Sequence, residues 1–319
     1  MKQDETKLTE RVLITGANGF VGKYVLAKLA LSDSQKIVRA ALRSSTQANH
    51  NLDTVEIGDI ARTTDWQVAL NDVSVVVHTA ARAHIMSDEV ADPLAEYRRV
   101  NVEGTLSLAR QAAQAGIRRF VFISSIGVNG ISNMEPFTVD DVANPVEPYA
   151  VSKLEAEIGL RQLAEETSME VVIIRPPLVY GRGAPGNFGR LAALARKNLP
   201  LPLGAIHNQR SLVGIDNLMD LIVTCIDHPA AANETFLVSD GRDLSTTELL
   251  RLMTQAAGKS PRLIPVPMKL ITLGATLLGK KAIADRLCGS LRVDITHTKA
   301  TLGWQPPVSV EEGIKRCFE

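Results

Sequence analysis

Cysteine is scarce in this sequence and scattered where it occurs. Cys225, Cys288 and Cys317 form no C-x-x-C pair and no zinc spacing. That excludes a disulfide framework and fits a reducing cytosol. An excess of either charge is also missing. The 35 Lys and Arg residues balance 35 Asp and Glu residues. The basic footprint of a nucleic-acid-binding protein is therefore absent, and an anionic substrate has to be held by a few placed arginines. The histidines, His50, His78, His84, His207, His228 and His297, contain no H-x-x-x-H pair, which argues against a metal site. Long hydrophobic runs are lacking too. Met1–Glu10 is polar and charged, unlike a signal peptide. The most apolar late stretch, Met268–Leu278, is too short to span a bilayer. It is expected to be a core helix or part of an apolar subunit face. No internal repeat or low-complexity segment occurs.

What the chain does have is a glycine-rich stretch, Gly16-Ala17-Asn18-Gly19-Phe20-Val21-Gly22. The apolar run Arg11–Thr15 before it reads as a buried strand, and Lys23–Leu29 after it reads as a helix. Strand, glycine loop and helix together make a phosphate-binding pattern: a tight turn, backbone close to a pyrophosphate, and helix N–H groups aimed at it. Further β-rich runs follow at 36–42, 55–60, 73–80, 118–125, 169–175 and 235–239, with helical periodicity between them, as over 96–115 and 149–166. Val75-Val76-Val77 and Val171-Val172-Ile173-Ile174 are continuous rather than alternating, as in strands covered on both faces. The expected fold is α/β: a Rossmann-like, doubly wound parallel sheet of about seven strands, with a smaller mixed α/β substrate domain. From about Pro176 proline and glycine become frequent. The expected boundaries are 9–180 for the dinucleotide domain, with 212–240 partly returning to it, and 181–319 for the substrate domain.

Tyr149-Ala150-Val151-Ser152-Lys153 carries the chemistry. Pro148 is a helix-start signal, and residues i and i+4 share a helix face, so Tyr149 and Lys153 project together. A phenol is a poor base at neutral pH, and a neighbouring ammonium favours its ionised form.

These motifs, in this order, resemble the extended short-chain dehydrogenase/reductases of the NAD-dependent epimerase/dehydratase family, over nearly the whole chain. Gly16, Asn18, Gly19, Phe20, Val21 and Gly22 match the family's cofactor loop. Asp59-Ile60 match its adenine-side acidic position, and His78-Thr79-Ala80-Ala81 its strand-four motif. Asn101 matches a structural and catalytic asparagine, and Ser125, Tyr149 and Lys153 match the catalytic triad. The resemblance implies that Tyr149 moves the proton of a sugar C4 hydroxyl and that Ser125 bonds the same oxygen. Lys153 would lower the Tyr149 pKa and hold the cofactor ribose, and the nicotinamide would exchange hydride with C4. Ser124 and Pro176 join the implied cofactor set. The implied UDP-sugar set is Arg82, Ser125, Tyr149, Asn187 (with Phe188), Leu201-Pro202-Leu203, Arg210 and Arg292. Arg292 reads equally well as a surface arginine. An arginine suits a diphosphate because its planar fork bonds two oxygens.

Several positions depart from the family pattern. Ile126-Gly127 stand where the dehydratases carry Asp-Glu, so 4,6-dehydration lacks its acid, and Asp140-Asp141 lie far along the loop. Ser211 stands where the family has Asp, Asn129 where many epimerases have Tyr, and Leu178 where many have Asn. The second β-run ends Ala40-Ala41-Leu42-Arg43-Ser44-Ser45 without the carboxylate of NAD-specific forms. Arg43 could therefore accept an NADP 2′-phosphate or merely stack on adenine. His78–His84 and the run 231–240 resemble a subgroup from bacterial surface-polysaccharide pathways, grouped with UDP-glucose 4-epimerases. The expected activity is a UDP-hexose or UDP-N-acetylhexosamine 4-epimerase using bound NAD. The alternative is an NAD(P)H-dependent UDP-4-keto-6-deoxy-hexosamine reductase, and the remotest is a non-catalytic NAD(P)-sensing module. The resemblance further implies a cytoplasmic homodimer built through the helices over 96–115 and 149–166, without stable membrane insertion.

Overall fold

The computed structural model describes residues 10–31, 36–44, 53–83 and 92–319. Ser45, His50, His84 and residues 1–9 lie outside them. By packing, the chain divides into two compact units. The first comprises Met1–Ser124, Glu147–Ile174 and Ile222–Thr235; the second comprises Ser125–Val146, Arg175–Leu221 and Phe236–Glu319.

Seven strands form the main sheet: β1 (Arg11–Thr15), β2 (Ile37–Leu42), β3 (Asp53–Glu56), β4 (Val75–His78), β5 (Arg119–Ile123), β6 (Glu170–Arg175) and β9 (Thr235–Leu237). Their order is β3-β2-β1-β4-β5-β6-β9. The pairs β1–β2, β2–β3, β1–β4, β4–β5 and β5–β6 are all parallel. Val12, Leu13, Ile14, Val75, Val76 and Val77 have no exposed surface. This is the two-sided burial that their continuous apolar runs require. The helices of the first unit are α1 (Phe20–Leu31), α2 (Gln67–Leu70), α3 (Pro93–Tyr97), α4 (Thr105–Gln114) and α5 (Pro148–Glu166). Leu13, Trp66, Leu108, Phe120, Phe122 and Leu160 lie in its core.

Two sequence expectations shift here for identifiable reasons. The run over 55–60 forms strand only at Asp53–Glu56, where Arg39 of β2 grips Asp53 through its Nε. Gly58 then takes φ +67° and turns the chain away. The helical stretch over 96–115 is not one helix. A π-helical segment, Arg98–Gly104, separates α3 from α4. Such bulges occur where a side chain is required out of helical register, and the side chain here is Asn101.

The second unit contains a two-stranded parallel sheet, β7 (Leu178–Tyr180) with β8 (Leu212–Gly214). Its helices are α6 (Gly186–Lys197), α8 (Thr246–Ala256), α9 (Met268–Leu277), α10 (Lys281–Cys288), α11 (Thr296–Leu302) and α12 (Val310–Arg316), and α7 (Ile215–Asp227) runs from it into the first unit. Tyr180 stacks on Phe188 with ring centroids 5.4 Å apart. Met268–Leu278 corrects an expectation: α9 is a helix, but none of its residues is buried, so it is no core helix. Among the described residues no helix is long and apolar enough to cross a membrane, and no group of three His, Cys, Asp or Glu side chains could hold a metal ion.

Candidate functional site

In a doubly wound sheet the crevice for a ligand opens at the carboxyl ends of the strands where the order reverses. In this chain those strands are β1 and β4. Gly16 follows β1 at φ +67°, and a Cβ there would lie 2.7 Å from the Ala80 amide nitrogen. A Cβ on Gly22 would meet the Gly16 carbonyl at 2.1 Å. Both positions therefore need glycine. The Gly19 N–H closes the turn onto the Gly16 carbonyl at 2.8 Å, and α1 begins at Phe20. The N–H groups of Phe20, Val21 and Gly22 belong to a first helical turn, which has no intrahelical acceptors. A tight turn that lacks side chains at Gly16, Gly19 and Gly22, with donors at the positive end of a helix, fits a dinucleotide pyrophosphate.

The floor of this cradle is pinned by hydroxyls. Thr79 Oγ1 donates to the Thr15 carbonyl at 2.7 Å. His78 is buried, with Nδ1 2.7 Å from Thr15 Oγ1 and Nε2 3.0 Å from Thr105 Oγ1. Burial, and then the charge of Lys153, press the His78 pKa down to about 3. It is a neutral, structural imidazole. Ala80 and Ala81 continue past the end of β4 as half-buried residues. Two candidate cofactor residues meet directly: Arg43 Nε lies 2.9 Å from Asp59 Oδ1, both side chains being about three-quarters exposed. Ile60 closes against Gly104, where a Cβ would come within 2.6 Å of its Cγ2.

Asn101 is buried inside the π-helical segment and works as a clamp. Its Oδ1 accepts from the Arg82 N–H at 2.9 Å, and its Nδ2 donates to the Arg82 carbonyl at 3.1 Å and to Ser152 Oγ at 3.0 Å. Ser152 Oγ in turn donates to the Tyr149 carbonyl at 2.7 Å. The clamp thus joins the strap after β4 to the first turn of α5.

Tyr149 and Lys153 stand on α5 one turn apart, as their spacing requires. Lys153 Nζ lies 5.9 Å from the Tyr149 ring centroid and 4.4 Å from that of Phe122, and it donates to the Ile123 carbonyl at 2.8 Å. Tyr149 is half-buried, with the Tyr97 ring 6.0 Å away edge-on. Loss of water and then the Tyr97 phenol push its pKa up. Burial also lowers the Lys153 ammonium to about 7, against the raising effect of Glu157. The lowering of the phenol pKa implied by the resemblance is therefore not seen in the protein alone. Desolvation outweighs the attraction of an ammonium that itself loses charge near neutrality.

Sequence reasoning missed Glu157, one further turn along the same face. It is fully buried, accepts from Ser124 Oγ at 2.5 Å and pairs with Arg161 at 3.1 Å. The i, i+4 spacing from Lys153 was the available signal.

In the second unit Ser125 caps a short 3₁₀ turn over Ile126–Val128, its Oγ accepting from the Gly127 N–H at 3.1 Å. The Ile126 N–H donates to the carbonyl of buried Pro176. Asn129 is buried, and its Oδ1 accepts from Arg175 Nη1 at 3.0 Å, so this departure from the family pattern satisfies a buried arginine. Leu178 lies half-buried in β7. Asn187 is exposed in the first turn of α6, while Phe188 is core. Leu201 bridges Leu263, Pro202 is exposed and Leu203 is a core side chain. Arg210 and Arg292 come close in sequence register, since Arg210 bridges Leu291. Arg210 Nη1 donates to the carbonyls of Arg286 and Gly289 at 2.9 and 3.1 Å, and Arg292 donates to the Met134 carbonyl. Ser211 donates to Asp243 Oδ1 at 2.5 Å. A carboxylate thus stands beside the position where the family has Asp, supplied from 32 residues away, with no local signal in the sequence.

The model of the NAD dependent epimerase/dehydratase family matches residues 12–239. The chain is 50% identical to the UDP-glucose 4-epimerase of Vibrio cholerae, covering 99% of this chain and 96% of that one. Among solved structures, the UDP-glucose 4-epimerase of Thermotoga maritima with UDP-glucose superposes with TM-score 0.76 at 23% identity, over 97% of each chain. The UDP-glucuronic acid 4-epimerase of Bacillus cereus with NAD gives 0.77 at 20% identity, again over 97% of each. At these identities the two structures speak for the fold alone.

Proposed function

The chain belongs to the NAD dependent epimerase/dehydratase family, and we propose that it is a nucleotide-sugar 4-epimerase acting with bound NAD on a UDP-hexose or UDP-N-acetylhexosamine. The observation that carries this reading is the Tyr149–Lys153 pair on α5, in the same unit as the glycine cradle at Gly16–Gly22. The 50% identity to a UDP-glucose 4-epimerase, over 99% of this chain, supports the choice of nucleotide sugar.

A dinucleotide held by its pyrophosphate at that cradle would supply a reversible hydride acceptor for C4. Tyr149 takes and returns the proton of the C4 hydroxyl, and Ser125 donates a hydrogen bond to that oxygen. The raised phenol pKa keeps Tyr149 protonated at rest, which suits giving a proton to a C4 carbonyl. Removing one requires positive charge beside the ring, which Lys153 carries in its protonated form. The cofactor role falls to Gly16, Asn18, Gly19, Phe20, Val21, Gly22, Arg43, Asp59, Ile60, Thr79, Ala80, Ala81, Asn101, Ser124 and Pro176. Because Asp59 partly neutralises Arg43, a 2′-phosphate gains little there, which favours NAD. The UDP-sugar role falls to Arg82, Asn187, Leu201, Pro202, Leu203, Arg210 and Arg292. Residues 9–180, with 212–240 partly returning to them, and 181–319 are the proposed dinucleotide and substrate divisions. A cytoplasmic homodimer through α3–α5, serving surface-polysaccharide synthesis, completes the proposal.

The test is direct. Purified protein should interconvert UDP-glucose or UDP-GlcNAc with its C4 epimer without net consumption of cofactor. Oxidation of NADPH by a UDP-4-keto sugar, with no epimerisation, would establish the reductase instead. Tyr149→Phe should lose about 10²–10⁴-fold in turnover while keeping UDP affinity. A variant retaining more than about a tenth of the rate would remove Tyr149 from the proton transfer.

A further inference from the structure

Helices α9 and α10 pack against each other in the second unit. Met268 and Ile271 are half-buried against a small core of Leu203, Ile206 and Leu250. The opposite side of α9 carries Leu270, Leu273 and Leu277, spaced i, i+3, i+7, at 58%, 57% and 79% exposure. Leu278 and Ile283 extend this ridge at 74% and 55%. Of the 15 exposed large hydrophobic side chains among the described residues, six fall within residues 264–283. Scattered single exposures are ordinary, but a contiguous ridge marks a surface with a partner.

The charge around the ridge identifies that partner. Residues 259–288 contain Lys259, Arg262, Lys269, Lys280, Lys281 and Arg286, all exposed, against one acid, Asp285. Six cations less one anion give +5 locally, in a chain whose formal net charge is +0. An apolar helix face flanked by lysines is the pattern of a helix lying in the interface of a bilayer. A second copy is disfavoured, because a two-fold contact would set this cationic surface against itself. Crossing the bilayer is not an option for α9, which has 10 residues.

We propose that the α9–α10 face docks the protein on an anionic phospholipid membrane, with Leu270, Leu273, Leu277, Leu278 and Ile283 entering the headgroup boundary and the flanking cations on lipid phosphates. The test is co-sedimentation of the full chain with phosphatidylcholine vesicles and with phosphatidylcholine/phosphatidylglycerol vesicles, at low and high salt. Binding to the anionic vesicles should be at least about tenfold tighter and should weaken with salt. Leu273→Asp with Leu277→Asp should abolish it. Lys280→Gln with Lys281→Gln should reduce it several-fold, and both variants should keep the circular dichroism and turnover of the parent. No binding of the parent to anionic vesicles would overturn the proposal, as would undiminished binding by the leucine variant. A fall in the sedimentation mass of the leucine variant by one protomer would assign the face to a second copy instead.

Discussion

At the residue scale the centre of the site is governed by desolvation. Lys153 has almost no exposed surface, and its Nζ donates to the Ile123 backbone carbonyl rather than to a carboxylate. Its pKa accordingly drops to about 7 from the ordinary 10.5. Between those values the unfolded chain binds more protons than the folded one, so stability rises with pH across that window and is lost as pH falls through 7. Cofactor-free protein should gain at most about 1.4 kcal/mol per pH unit from this group. The gain should be read by urea denaturation between neutrality and the onset of thiol ionisation. There Cys225, whose burial pushes it up to about 12, begins to act in the opposite sense. Lys153→Met should flatten that rise. An unchanged slope in the variant would place the titration elsewhere.

At the element scale the site depends on one irregularity. A regular helix over 96–115 would not present Asn101 to both Arg82 and Ser152; the π-helical segment does. Asn101→Ala leaves the Arg82 N–H and carbonyl without these partners in a half-buried place, at a cost of about 2–3 kcal/mol. It also frees the first turn of α5, so turnover should fall along with stability. Hydrogen exchange at the Arg82 amide provides the check. Protection equal to the parent's would mean that the clamp is not what orders this strap. A second device of the same kind is Arg119 in β5. Its guanidinium is buried, pairs with Glu170 of β6 at 2.7 Å and collects the carbonyls of Cys225, Ile226 and His228 at the end of α7. Those last carbonyls of a helix have no intrahelical donor, and an arginine fork supplies several at once.

At the scale of the whole molecule, balanced charge has two consequences. With formal net charge +0 at pH 7, self-repulsion is least there. Solubility against polyethylene glycol should therefore pass through a minimum near neutrality and rise toward about pH 9. A minimum displaced by more than about one pH unit would show that the cationic α9–α10 surface, rather than total charge, governs association. The same balance means that an anionic nucleotide sugar meets no general attraction, and its binding rests on individual arginines. Arg210 is already occupied with two carbonyls at the end of α10, so it reaches a diphosphate only as part of that corner.

The features legible in the sequence are those fixed by short spacing. The order of strand, glycine loop and helix specifies the cradle because a Cβ at Gly16 or Gly22 would overlap backbone. Continuous valines specify buried parallel strands, and the i, i+4 step from Tyr149 to Lys153 puts both on one face of α5. Tertiary structure alone decided what depends on distant residues or on water. It put Thr15 and Thr105 on the two nitrogens of His78, and it brought Asp243 to Ser211. It raised the phenol of Tyr149 where the sequence implied a lowered one, and it left α9 on the surface where the sequence allowed either a core helix or an apolar subunit face. Spacing along the chain sets local geometry, whereas solvent exclusion and long-range pairing exist only once the chain has packed.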